Sequence, residues 1–152
     1  MTKLILIDKD NTLVPMGSHT ATDAARFFVD RCRIYGIKVV IVSNSGSAQP
    51  VADSLGVDCI QYAMKPFISP DVQSLVAKHG VEHTVVIGDN PSSDGVLARQ
   101  LGCGYTQVSK HVTMLSCPLK LMKEANKAYL RGFVGFNFIR GAVSDVVATV
   151  LK

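Results

Sequence analysis

Asp8 and Asp10 close the apolar run Leu4-Ile5-Leu6-Ile7, with Lys9 between them. Four apolar residues in a row read as a short strand buried on both faces, as in a parallel sheet. Side chains alternate along an extended chain, so Asp8 and Asp10 can share one face while Lys9 points elsewhere. A carboxylate pair at the mouth of a buried strand is costly unless a cation offsets its charge. A hard divalent ion with oxygen ligands would do so. Taken alone, the same residues also read as a polar turn, Asp10-Asn11-Thr12, after an ordinary strand. The other strand ends decide between these readings.

The elements that must position such a pair alternate along the chain. After the first strand comes a loop over Val14 to Thr22. A helix of about Asp23 to Tyr35 follows, with Ala25, Phe28, Val29 and Cys32 on one face and Gly36 as its stop. Lys38 to Ser43 is a second strand. Ser47 is expected to cap a short helix ending at Leu55, and Cys59-Ile60-Gln61 is a weak third strand. Ser69-Pro70-Asp71 is a strong helix start, a capping serine followed by proline at the first helical position. That helix ends near Gly80. Thr84 to Asp89 is the fourth strand, Ser93 to Leu101 a helix, and Tyr105 to Val108 the fifth strand. Phe27, Phe28 and the valines of strands two and four are assigned to the core. The pattern predicts an α/β fold: a parallel sheet with helices on both faces.

Ligands of such sheets bind outside the carboxyl ends of the strands. Strand one delivers Asp8 and Asp10 there, strand two Ser43 and Asn44, and the segment beyond strand three Lys65. Strand four delivers Asp89, with Asp94 five residues on. Core packing does not explain four polar endings on one rim. Oxygen-only ligands with no neighbouring His or Cys favour Mg²⁺ over zinc. The Lys65 ammonium and the Ser43 hydroxyl both suit a phosphate oxygen. An aspartate can attack phosphorus, and a second one can protonate the leaving group and then deprotonate water. His19 lies in the loop after the aspartates, where a solvated histidine is the simpler reading. G-x-G-x-x-G is absent after strand one, so a dinucleotide fingerprint is not indicated.

Asp8-Lys9-Asp10-Asn11-Thr12-Leu13 resembles the DxDxT signature of the haloacid dehalogenase (HAD) phosphatases. Ser43-Asn44, Lys65-Pro66 and Gly88-Asp89-Asn90-Pro91-Ser92-Ser93-Asp94 resemble their second, third and fourth motifs, in the family's order and spacing. The resemblance implies Asp8 as nucleophile, Asp10 as general acid/base, and Ser43, Asn44 and Lys65 around the phosphate. It implies Mg²⁺ held by Asp8, the Asp10 main-chain carbonyl and Asp89, with Asp94 assisting, and a Rossmann-like three-layer core of sheet order 5-4-1-2-3. Neither the stretch from Asp8 to Ser43 nor that from Ser43 to Lys65 is long enough for a cap domain. A capless enzyme with an open site is therefore expected. Within the capless group the first two motifs are most similar to the phosphatidylglycerophosphate phosphatases, and Asn90 and Ser93 depart from that branch's usual residues. The implied substrates are a lipid phosphate, a polynucleotide phosphate, a phosphoprotein or a small phosphomonoester. A non-catalytic HAD-fold scaffold used in assembly is the alternative.

The bulk properties narrow the setting. The chain has 152 residues, 47% hydrophobic and 18% charged, with net charge +4, which describes a globular domain with a modest basic bias. Cys32, Cys59, Cys103 and Cys117 form no CxxC pair, so a reducing, cytoplasmic setting is expected rather than a disulfide framework. No apolar run approaches the roughly 20 residues a membrane-spanning helix requires, and with a buried strand beginning at Leu4 no signal peptide is expected. The catalytic core is expected over residues 1–108, and residues 109–152 as a helical extension. That extension has seven basic residues against two acidic ones. Its expected helices run over Leu119 to Arg131 and along the Val143, Val146, Val147, Val150 stripe. Packing on the core or in a homo-oligomer is the plainer role for it. Holding an anionic lipid or nucleic acid near the site is the functional one.

Overall fold

The computed structural model describes residues 2–108. The expected C-terminal helices lie outside the described residues. Five parallel strands, β1 (Leu4–Ile7), β2 (Lys38–Val42), β3 (Asp58–Ile60), β4 (Thr84–Gly88) and β5 (Gly104–Gln107), form one sheet. Its order is β3-β2-β1-β4-β5, the expected order read from the other edge. β1 lies at the centre, paired with β2 (Ile5 opposite Val39) and with β4 (Ile5 opposite Val85).

Alternation along β1 splits the core in two. Ile5 and Ile7 join a cluster with Phe28, Val29 and Cys32 of α1 (Asp23–Ile34) and Val51, Ala52 and Leu55 of α2 (Gln49–Leu55). Leu4 and Leu6 join the opposite cluster with Val72 and Val76 of α3 (Pro70–His79) and Ala98 of α4 (Val96–Leu101). Every residue of β1 is buried because both faces of the sheet are covered. The result is the expected three-layer α/β fold, with no inserted cap among the described residues.

Local chemistry sets the helix ends. Thr22 caps α1 by accepting from the Ala25 amide, and Ser69 caps α3 by accepting from the Val72 amide. Gly56 and Gly102 end α2 and α4 in left-handed conformations.

Four sequence expectations need correction. Ser47 does not cap α2: Ala48 occupies that position without a side-chain bond, and the Ser47 hydroxyl is engaged by Lys9 and Ser45. The segment expected to open a helix at Ser93 is instead a π-helical turn, Pro91–Gly95, whose cap is Asn90 accepting from the Ser92 amide. Only from Val96 does the chain settle into α4. Phe27 is not core. It lies beside the buried Phe28 on α1 but turns 43% of its surface to solvent, since neighbours on a helix point about 100° apart. β3 begins at Asp58 and β5 at Gly104, shifts of one residue within ordinary boundary error.

Candidate active site

The parallel sheet brings the carboxyl ends of β1, β2 and β4 to one rim. Asp8 directly follows β1, and its amide continues the ladder by donating to the Ile87 carbonyl at 2.9 Å. It falls on the Leu4/Leu6 side of the strand by alternation. Beyond it the chain turns tightly: the Leu13 and Val14 amides both donate to the Lys9 carbonyl at 3.0 Å. Asn11 takes φ 57°, a left-handed conformation that Asn tolerates better than most residues.

Asp8 and Asp94 are bridged by Lys65. Its Nζ donates at 2.6 Å to Asp8 Oδ1 and at 2.6 Å to Asp94 Oδ1. All three side chains are nearly enclosed, with 13%, 2% and 4% exposure for Asp8, Asp94 and Lys65. Asp89, also buried, completes a triad in which carboxylate oxygens of Asp8, Asp89 and Asp94 lie within 4.8 Å of one another. Burial pushes the Asp8 carboxyl up to about 6. Lys65 pulls against that shift, and Asp94 and then Asp89 add to it. Tyr105 of β5 responds to the same field: burial, then the charges of Asp94, Asp89 and Asp8, raises its hydroxyl to about 12. That hydroxyl donates to the Gly88 carbonyl at 3.2 Å.

Each member has its own local support. Asp94 sits in the π-helical turn, where its amide donates to the Asn90 carbonyl and its Oδ2 accepts from the Asn90 amide. Gly88 lets it lie against the end of β4, because a Cβ there would come within 2.2 Å of the Asp94 carboxylate. Lys65 is fixed through its main chain. Its amide donates to Asn44 Oδ1 at 2.7 Å, and its carbonyl accepts from Asn44 Nδ2 at 3.0 Å. Asn44 thus ties the end of β2 to the segment bearing the ammonium. Ser43 Oγ accepts from the Ser45 amide at 3.1 Å, in a side chain with almost no exposure.

Asp8, Lys65, Asp89 and Asp94 therefore converge as the sequence implied. The carboxylate of Asp10 stands outside the triad. Its Oδ1 accepts from the Gly17 amide at 2.9 Å and pairs with the Lys9 ammonium at 2.9 Å. It remains 25% exposed. His19 is exposed. Sequence reasoning missed Lys9 and Tyr105. Lys9 was detectable, since the alternation that buries Ile5 and Ile7 puts residue 9 on the same covered face. Nothing local to Tyr105 signals a role, because β5 reaches the site only through sheet pairing.

With this geometry in hand, residues 1–113 match the family described as mitochondrial PGP phosphatase. The chain belongs to that family. The HAD-like phosphatase kinship suggested by the motifs is thereby established. No curated protein sequence matches the chain. Among solved structures, an uncharacterized protein from Listeria monocytogenes serotype 4b superposes with TM-score 0.53 at 15% identity, over 70% of this chain and 78% of that one. NagD from E. coli K-12 superposes with TM-score 0.50 at 17% identity, over 76% of this chain and 91% of that one. At such identities these likenesses speak to the fold alone.

The acidic rim suits a divalent cation. Among the described residues, carboxylate oxygens of Asp8, Asp89 and Asp94 lie within 4.8 Å of one another, and all of them are hard oxygen donors.

Proposed function

We propose that the chain is a Mg²⁺-dependent phosphomonoester hydrolase with Asp8 as nucleophile and Asp10 as general acid/base. The observation that carries the reading is the Asp8–Lys65–Asp94 bridge with Asp89 beside it. A nucleophilic carboxylate held by a lysine, within a triad able to hold a cation, is what attack on a phosphate dianion needs. Asp8, Asp89 and the Asp10 main-chain carbonyl would hold the ion, with Asp94 assisting. When bound, the ion would supply positive charge to offset that of the phosphate.

Asp8 attacks phosphorus, the ester P–O bond breaks, and Asp10 delivers its proton to the leaving alkoxide. Lys65 keeps the attacking carboxylate in place and offers positive charge to the phosphoryl oxygens. Asp10, now a carboxylate, takes a proton from water as that water attacks the aspartyl-phosphate on Asp8. Inorganic phosphate leaves, and both aspartates return to their starting states. Ser43 and Asn44 serve the phosphate from the end of β2.

We place the active unit in residues 1–108 and propose an open site that takes a phosphate on a large carrier, a lipid or polynucleotide before a small metabolite. No described helix is long and apolar enough to cross a membrane. Cys32, Cys59 and Cys103 are free thiols, which supports a reducing compartment such as the cytoplasm.

The test is a panel of phosphorylated lipids, oligonucleotides, peptides and aryl phosphates, assayed with Mg²⁺ and with EDTA. Hydrolysis should require the metal. Asp8→Asn should lose at least about a thousandfold, because an amide cannot form the phosphoenzyme. A wild type inert across the panel overturns the reading and leaves the scaffold role.

A further inference from the structure

Among the described residues, Lys9 is the largest side chain with almost no exposure; its relative accessibility is 0%. A buried ammonium is tolerated only where its charge and all three N–H donors are satisfied. Here Nζ lies 2.9 Å from Asp10 Oδ1, donates to the Ser18 carbonyl at 3.1 Å and donates to Ser47 Oγ at 3.0 Å. Those partners come from two connections, Asp10 and Ser18 from the one between β1 and α1 and Ser47 from the one between β2 and α2. Ser47 is itself held, through a 2.7 Å bond with Ser45 Oγ and through its amide on that same oxygen. Ser45 in turn donates its amide to Ser43. The ammonium is therefore anchored on two fixed oxygens and presents its third proton to Asp10, whose other described contact is the Gly17 amide.

We infer that Lys9 is a positioning residue for the acid/base step: it holds the Asp10 carboxyl toward the leaving group from behind, without touching substrate. This rests on the phosphatase reading above. Nothing in core packing calls for a lysine at residue 9, since an apolar side chain would continue the Ile5/Ile7 face at lower desolvation cost. The contacts instead converge on the Asp10 carboxylate, which stands outside the Asp8–Lys65–Asp94 bridge.

The consequence is a selective defect. Proton delivery matters for a basic alkoxide leaving group and hardly at all for para-nitrophenolate, which departs without help. Removing a proton from the attacking water in the second step matters for every substrate. Lys9→Met keeps the buried volume and removes the ammonium. For an alkyl phosphate its kcat/KM should fall by about 100-fold, within the range general acid catalysis supplies. For para-nitrophenyl phosphate kcat/KM, which ends at phosphoryl transfer, should change less than about threefold. There kcat and KM should fall together as the phosphoenzyme accumulates. Ser47→Ala loosens one anchor while leaving Lys9 and Asp10 in place, so it should give the same pattern more weakly. It also carries the test if Lys9→Met does not fold, as judged by circular dichroism and melting. An equal loss on alkyl and aryl substrates, or no loss on either, in whichever of these variants is folded, overturns the positioning role. A wild type inert on every substrate overturns the phosphatase reading itself.

Discussion

Asp8 shows at the scale of one residue how a reactive group is made by its surroundings. Its carboxyl rises from 3.8 to about 6, with burial as the largest cause. The folded state therefore binds this proton more tightly than the unfolded chain does. The stability it contributes is present below 3.8 and is lost as pH rises toward 6. Above that range the ionised group costs stability, and a bound cation would offset the cost. Mg²⁺ should therefore raise the melting temperature more at pH ~7.5 than at pH ~5, where a proton competes for Asp8. An equal shift at both values would separate the metal from Asp8. Beryllium fluoride with Mg²⁺ should add a further rise by mimicking a bound phosphoryl group, since it binds only the folded state. Asp89→Ala should abolish that rise, and its persistence would remove Asp89 from the metal site.

At the scale of elements, the site is assembled by the turns at the carboxyl ends of the strands. The turn after β1 aims Asp8 at one face and Lys9 at the other. The π-helical turn after β4 returns Asp94 to the strand it left. The approach is so close that Gly88 has no room for a side chain: a Cβ would sit 2.2 Å from Asp94 Cγ. Gly88→Ala should force Asp94 out, break its bond to Lys65 and weaken metal binding, with activity falling at least about tenfold. The fold should survive, since displacing one side chain costs on the order of 1–3 kcal/mol. Circular dichroism with the Mg²⁺-dependent melting shift checks both halves. An unchanged shift would mean Asp94 is dispensable for the metal.

At the scale of the whole molecule, no cap is inserted among the described residues. Beside the site, Tyr62, Met64 and Phe67 are each about two-thirds exposed, in the same segment that buries Lys65. We propose that residues 109–152, with their excess of basic side chains, either recruit an anionic substrate to this rim or serve assembly. A chain ending at Lys110 distinguishes the two. If the extension recruits, the shortened protein stays folded, keeps its aryl phosphate turnover and loses salt-sensitive binding to anionic liposomes or oligonucleotides. If it unfolds or changes oligomeric state, the extension is structural.

Much of this was legible in the chain itself because it depends on near neighbours. Apolar runs of four or five residues, glycine stops and the Ser69-Pro70 start determine the elements, and alternating strands and helices determine the layers. The motif order from Asp8 to Asp94 marks the rim. Tertiary structure decided what depends on contacts between distant residues. Lys65 meets Asp8 across 57 positions, and Lys9 meets Ser47 across 38. Ser47 carries every local mark of a helix cap, yet a buried ammonium without a partner would cost far more than a missing cap, so its hydroxyl goes to Lys9. Asp10 shares Asp8's face in an ideal strand, but the turn through Asn11 ends the alternation and gives its carboxylate to Gly17 and Lys9. Sequence determines which groups are available. Only the folded chain decides which charges must be satisfied together, because burial cost is set by everything that surrounds a group in space.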